Sequence, residues 1–192
     1  MLSRRQFLVK ERVAVVKLTD TYDIFDPETG EPIGMAIDRP PTWAKFARLF
    51  VHKRFLPTRI EILESEEQGP ILSLYKKPGF IRVEVKLFDA RDHLFGSFRS
   101  KLFRLGGGFY VLDAGGSQIA EVNGDWKGWN FKIVTDTGRQ LGEVSKKWAG
   151  IGKEFFTTAD TYMISVGESG DPTTVALALA AGLAVDTVFK EA

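Results

Sequence analysis

The apolar segment from Val175 to Val185 constrains the fold of this 192-residue chain more than any other feature. Asp171-Pro172-Thr173-Thr174, just before it, is a typical helix start, with a proline near the first turn and polar capping side chains beside it. The segment is shorter than the roughly twenty apolar residues that a transmembrane helix needs. It is also apolar on every side, so no face of it suits water. We therefore predict a buried helix over residues 173–190 and no transmembrane span; a membrane anchor and a helix packed in a dimer are the alternatives.

The small side chains of this helix indicate what encloses it. They keep the helix thin enough to pass through the interior of a β-barrel of eleven or twelve strands, which is wide enough to hold a helix. The small residues are Ala176, Ala178, Ala180, Ala181, Gly182 and Ala184.

Five hairpin-like repeats supply the strands of such a barrel. Apolar residues alternate with charged ones, as at Ile60 and Ile62, which is typical of a strand with one buried face. Asp and Gly stand between the paired strands, where turns need them. Closure of so many strands removes exposed edges, so we predict a closed antiparallel barrel of about ten to twelve strands. The hairpins span residues 22–34, 60–74, 83–96, 109–122 and 131–144.

Composition excludes several classes of function. The chain has no cysteine and two histidines, which rules out disulfides, thiolate metal sites and histidine-rich metal sites. A net charge of +1 argues against a nucleic-acid partner, which usually meets a strongly basic domain. Nothing requires an oxidising compartment, and we expect a cytoplasmic protein that also associates peripherally with a membrane.

The N-terminal segment from Ser3 to Lys10 resembles a twin-arginine export signal. Such a signal continues into an uncharged apolar region, but Lys10, Glu11 and Arg12 follow here. We interpret the segment as the first strand of the fold.

Four motifs together resemble the tubby C-terminal-like superfamily, and within it the LURP-one-related and phospholipid scramblase families. They are Lys146-Lys147-Trp148-Ala149-Gly150, the segment from Lys153 to Tyr162, the opening Tyr22-Asp23-Ile24-Phe25-Asp26, and the segment from Gly124 to Phe131. The resemblance covers nearly the whole chain. It implies a single domain over residues 1–192, a twelve-stranded barrel around a hydrophobic helix.

The resemblance also implies lipid-related functions. Tubby domains bind phosphoinositide headgroups, and scramblases are linked to calcium-dependent lipid movement. An acidic segment before the final helix is the proposed calcium site of scramblases, and it corresponds here to Asp160, Glu168 and Asp171. Thr158 stands where the scramblase pattern has another Asp, and calcium prefers six to eight oxygen ligands. No other cofactor is expected.

The segment from Pro41 to Arg54 interrupts the hairpins and has helical spacing. Trp43, Phe46, Ala47 and Phe50 share one face of the predicted helix. One interpretation is a membrane interface, with the aromatic rings in the bilayer and the basic groups toward anionic headgroups. The other is that the aromatic rings cap one mouth of the barrel. The candidate lipid-binding residues are Trp43, Lys45, Phe46, Arg48, Lys53 and Arg54; Lys76, Lys77, Arg99, Lys101 and Arg104 are candidates for added charge.

No motif indicates catalysis. Asp136-Thr137-Gly138 and Gly106-Gly107-Gly108 are interpreted as turns, because the first has no second copy and the second lacks the Lys and the helix of a phosphate-binding loop. We therefore expect a non-enzymatic binding module whose partner is an anionic phospholipid, a membrane surface or another protein. Scramblase-like lipid translocation and a protein-interaction scaffold without a lipid role are the alternatives.

Overall fold

The computed structural model describes residues 1–12, 19–52, 55–78, 82–101, 107–125, 127–146, 161–167 and 170–189. The elements are strands with two helices, in the following order. They are β1 (Gln6–Glu11), β2 (Thr21–Phe25), β3 (Pro32–Asp38), α1 (Thr42–Ala47), β4 (Thr58–Leu63), β5 (Leu72–Lys76), β6 (Glu84–Asp89), β7 (Leu94–Ser100), β8 (Gly108–Asp113), β9 (Gln118–Asp125), β10 (Asn130–Thr135), β11 (Gln140–Ser145), β12 (Thr161–Val166) and α2 (Pro172–Phe189).

The twelve strands form one closed antiparallel barrel. Each strand pairs with the next in sequence, and β1 closes the barrel against β12, as where Phe7 lies opposite Ile164. The predicted barrel is confirmed, and all five predicted hairpins pair as expected. The segment that resembles an export signal supplies β1. Closure leaves no unpaired edge in the barrel, which otherwise exposes backbone groups to aggregation.

The turn between β10 and β11 shows how the local sequence fixes a hairpin. Asp136-Thr137-Gly138 forms it, as predicted, and the Gly138 amide donates to the Thr135 carbonyl at 3.0 Å. Gly138 has a φ of 84°, in the left-handed region that favours glycine.

Helix α2 lies inside the barrel, as the apolar segment predicts. Every described side chain from Val175 to Val185 is buried, and the inward faces of the strands pack around them, including Val9, Ile62 and Phe131. The apolar interior contributes most of the favourable free energy of folding. Because the helix fills the barrel, a binding function belongs on the outer surface or at an end.

Antiparallel connectivity gives the barrel two different ends. We call the end that carries α1 the α1 end; it also receives the described residues next to the β1–β2, β5–β6, β7–β8, β9–β10 and β11–β12 connections, and helix α2 ends there at Phe189. The other end, which we call the turn end, carries the tight β2–β3, β4–β5, β6–β7, β8–β9 and β10–β11 turns and the start of α2.

Candidate membrane-binding surface

Helix α1 connects β3 to β4 across the α1 end. It begins at Thr42 after two prolines, whose fixed φ suits a helix start but not its interior. The chain continues beyond Ala47 as turns, with the Phe50 and Val51 amides donating to the Ala47 carbonyl at 3.0 and 2.8 Å. The short inserted helix is therefore confirmed. Ala44 is its one fully buried residue and contacts the barrel.

Arg48 anchors this segment to the barrel. Its Nη1 donates to Asp38 Oδ2 at 2.5 Å and its Nη2 to Thr58 Oγ1 at 3.0 Å. The side chains of Arg48 and Asp38 are only 1% and 2% exposed. Asp38 ends β3 and Thr58 begins β4, so one guanidinium holds both strands that flank α1.

The aromatic side chains of the segment point away from the barrel. Trp43, Phe46 and Phe50 are 61%, 62% and 89% exposed, and Leu49 and Val51 are exposed beside them. We call these five side chains the apolar patch. Isolated exposed apolar residues are ordinary, but five within nine consecutive positions are typical of an interaction surface.

The alternative in which the aromatic rings cap a barrel mouth is wrong. Ala44 and the guanidinium of Arg48 face the barrel instead. The physical reason is that a small residue allows close backbone approach, while the polar rim of the mouth at Asp38 and Thr58 pairs with a charged group rather than with a ring.

The structure separates the predicted basic residues of the segment. Lys45 is exposed beside the apolar patch, whereas Arg48 faces inward to Asp38. Lys53 and Arg54 lie outside the described residues, so their predicted role stays a prediction. Leu49 and Val51 also belong to the patch. The sequence-based prediction did not include them, because they lie in the turn after the helix and not on the helical face.

The predicted additional cations also lie toward the α1 end. Lys76 faces inward and is buried at the end of β5, while its neighbour Lys77 is exposed, as period-two alternation requires. The Lys101 side chain is almost fully buried and forms an ion pair with Glu121. The hydrogen bond from Lys101 lowers the pKa of the Glu121 carboxyl group. Arg99 lies near the end of β7, and Arg104 falls outside the described residues.

The predicted calcium ligands are not brought together within the described residues. Asp160 and Glu168 lie outside them. The Asp171 carboxylate caps helix α2: its Oδ1 accepts hydrogen bonds from the Thr173 and Thr174 amides at 2.8 and 2.9 Å. These bonds, with the Thr174 amide first, lower the Asp171 pKa. Among the described residues no group of three or more His, Asp or Glu side chains is placed to hold a metal ion.

The mouth beneath α1 is closely packed. Tyr22, Asp38, Arg48 and Thr187 line a polar cavity there, and a second cavity is mostly apolar with Lys76 and Thr187 at its wall; each has a volume of about 10 Å³. That volume corresponds to about one water molecule. Neither cavity admits an organic ligand, so at the α1 end the exposed surface around α1 is the stronger candidate for a binding site.

The fold and the surface together define a class: a closed β-barrel around a central apolar helix, with an exposed apolar patch at one end. The family model for scramblases matches residues 2–192, and the chain therefore belongs to the scramblase family. No curated protein and no solved structure matches the chain. Neither helix in the described part of the chain is both long and apolar enough to cross a bilayer.

Proposed function

We propose that the protein is a non-enzymatic, peripheral phospholipid-binding module that attaches to a membrane surface through the apolar patch. The observation that carries this proposal is the outward orientation of Trp43, Phe46 and Phe50 on a segment that Arg48 fixes to the barrel. Aromatic side chains of this kind insert shallowly into the region between headgroups and acyl chains. Membership of the scramblase family supports a lipid surface as the partner.

The anchoring of the segment favours insertion without refolding. Two hydrogen bonds from Arg48 and the burial of Ala44 hold the backbone in place, so the aromatic rings are already exposed before the protein meets a membrane. A preorganised surface loses less conformational entropy on binding. Lys45 lies beside the rings, where its ammonium group reaches the headgroup layer while its stem follows the apolar surface.

Association rather than translocation is the function that we propose. The translocation alternative requires α2 to leave the barrel and enter the bilayer. In the structure its side chains from Val175 to Val185 are covered by the strands, and Asp186 is bonded to the wall through Tyr22. Removing the helix would expose both the helix and the apolar barrel interior, which is strongly unfavourable.

Vesicle sedimentation tests the proposal. We expect the native protein to pellet with phospholipid vesicles and the variant Trp43→Ser/Phe46→Ser/Phe50→Ser to stay in the supernatant, because each inserted ring contributes on the order of 1 kcal/mol. Leu94→Ser/Ile119→Ser removes exposed apolar side chains elsewhere on the barrel and serves as the control. Equal sedimentation of the two variants would disprove a role for the patch.

A site-specific label reports insertion directly. Because the chain contains no cysteine, one introduced cysteine gives a unique attachment point for an environment-sensitive fluorophore. A label on Val51→Cys should shift its emission to shorter wavelength on addition of vesicles, while a label on Gln68→Cys, at the turn end, should not. A shift at both positions, or at neither, contradicts insertion through the patch.

A further inference from the structure

The charges of this nearly neutral chain are separated between the two ends of the barrel. In the described connecting segments of the α1 end there are nine basic residues and one acidic residue. The basic residues are Arg12, Arg39, Lys45, Arg48, Lys77, Arg82, Lys101, Lys127 and Lys146, and the acidic one is Asp20. The overall charge of +1 conceals this separation.

The turn end has the opposite character. Its described segments, including residues 1–5, contain nine acidic and four basic residues. The acidic residues are Asp26, Glu28, Glu31, Glu64, Glu66, Glu67, Asp92, Asp136 and Asp171, and the basic ones are Arg4, Arg5, Arg91 and Arg139. Fixed charges distributed in this way give the molecule a dipole along the barrel axis.

Ion pairs neutralise part of the positive charge, but not all of it. Arg12 pairs with Asp23, Arg39 with Glu61, Arg48 with Asp38 and Lys101 with Glu121. Lys45, Lys77 and Arg82 are exposed and make no ion pair within the described residues. Exposed cations of this kind act on a charged surface over about a Debye length.

Lys77 and Arg82 lie outside the apolar patch, on a neighbouring connection of the same end. Strand β4 follows the α1 segment and pairs with β5, and β5 pairs with β6. Lys77 directly follows β5 and Arg82 precedes β6, so both are exposed residues of the connection that neighbours the α1 segment on the same rim. We call Lys77 and Arg82 the rim cations.

We infer that the barrel docks end-on on anionic phospholipid bilayers, with the rim cations on the headgroups and the acidic turn end facing away. The inference rests on the proposed function: the apolar patch inserts into the bilayer, and the charges set the orientation of the barrel on it. Charge complementarity identifies the surface: the positive end attracts an anionic leaflet, and the negative end is repelled by it. A flat approach along the barrel wall would bring acidic turns toward the lipid.

Binding to vesicles of phosphatidylcholine, with and without phosphatidylserine, tests the inference at low and at physiological salt. We expect the native protein to bind more tightly when phosphatidylserine is present and less tightly as salt rises. Lys77→Gln/Arg82→Gln should lose roughly tenfold or more of the affinity for phosphatidylserine vesicles, because each surface cation near an anionic leaflet contributes about 1 kcal/mol. Its affinity for phosphatidylcholine alone should match that of the native protein.

Arg91→Gln/Arg139→Gln is the matched control, since it removes the same charge from exposed positions at the turn end. It should bind phosphatidylserine vesicles as the native protein does. Equal loss in both variants would show an effect of net charge and overturn end-on docking, as would a native protein indifferent to phosphatidylserine. These outcomes leave the proposed function standing, whereas absence of native binding to either vesicle overturns both. Urea unfolding of each variant confirms that the barrel is intact.

Discussion

The hydroxyl of Tyr22 donates a 2.6 Å hydrogen bond to Oδ2 of Asp186, joining the barrel wall to the central helix. Both side chains are buried at the α1 end of the interior. Asp186 directly follows the apolar run of α2, and a buried carboxylate is tolerated only where hydrogen bonds replace water. The bond therefore fixes the depth of the helix in the barrel while it accommodates the single acidic side chain of α2.

Replacing Tyr22 with Phe should lower the free energy of unfolding by about 1–3 kcal/mol at neutral pH, because Asp186 loses a buried donor. Urea unfolding monitored by circular dichroism measures the difference. Tyr162→Phe is the control: the Tyr162 hydroxyl is buried without a hydrogen-bond partner among the described residues, so its removal should cost less. Equal losses would mean that the bond to Asp186 is not the source of the effect.

Alkaline pH should destabilise the native protein through the same residue. Burial, followed by the charge of Asp186, raises the pKa of Tyr22 well above 10.0. Above the unfolded-state pKa of about 10, the folded state keeps a proton that the unfolded state releases, so stability falls as pH rises. Below that pH this contribution is complete. The decline in unfolding free energy above pH 10.0 should be shallower in Tyr22→Phe than in the native protein. An equally steep decline in the two proteins would show that Tyr22 is not the source of the alkaline destabilisation.

Breaking the Arg48–Asp38 pair should be far more costly than breaking a surface pair. Arg48→Ala leaves Asp38 buried without its charged partner, and loss of one member of a buried pair costs about 3–5 kcal/mol. Arg39→Ala removes the exposed arginine that pairs with Glu61 at 2.8 Å and should cost at most about 1 kcal/mol. Chemical unfolding compares the two, and similar losses would show that the Arg48 anchor is not buried in solution.

The cap of α2 predicts a dependence on acid. Asp171→Ala should lower the unfolding free energy by about 1 kcal/mol, while Asp171→Asn, which keeps a capping oxygen, should lower it much less. Because the folded-state pKa of Asp171 is depressed, its contribution is present above the unfolded-state pKa of about 4 and is lost as pH falls through the folded-state value. The stability of Asp171→Asn should therefore change less between neutral and acidic pH. A steeper acid response in that variant would contradict the cap.

Most of the fold follows from two sequence patterns. Alternation at Ile60 and Ile62 marks a half-buried strand, and Val175 to Val185 has no polar face, so enclosure of a helix by strands is the consistent solution. The turn at Gly138 follows from its need for positive φ. These are local effects, which neighbouring residues encode.

The candidate surface was only partly predictable. Helical spacing groups Trp43 with Phe46 and Phe50, but it does not decide whether that face turns inward or outward. The orientation of that face depends on Asp38 and Thr58, which lie ten residues before and ten residues after Arg48 and accept its hydrogen bonds. Likewise, the separation of charge appears only after the barrel sorts alternate loops to opposite ends, because the chain as a whole is nearly neutral.

Gly182 is the one glycine of helix α2, and side chains of strand β12 lie close against it. A Cβ atom there would lie 2.9 Å from Cγ1 of Ile164 and 3.4 Å from Cε2 of Tyr162. Both neighbours are fully buried in β12 and cannot move into solvent. The missing side chain therefore gives the helix its clearance from the wall.

The substitution Gly182→Val sets two effects against each other. Helix propensity favours Val over Gly by a few tenths of a kcal/mol, whereas overpacking a closed core costs about 1–3 kcal/mol. Packing should prevail, so the unfolding free energy should fall by at least about 1 kcal/mol. Gly69→Val places the same side chain in open space at the turn end and should change stability by about 0.5 kcal/mol or less. A closed ladder of twelve paired strands should not widen freely to make room for the added side chain. A Gly182→Val protein as stable as the native protein, or more stable, would contradict this prediction.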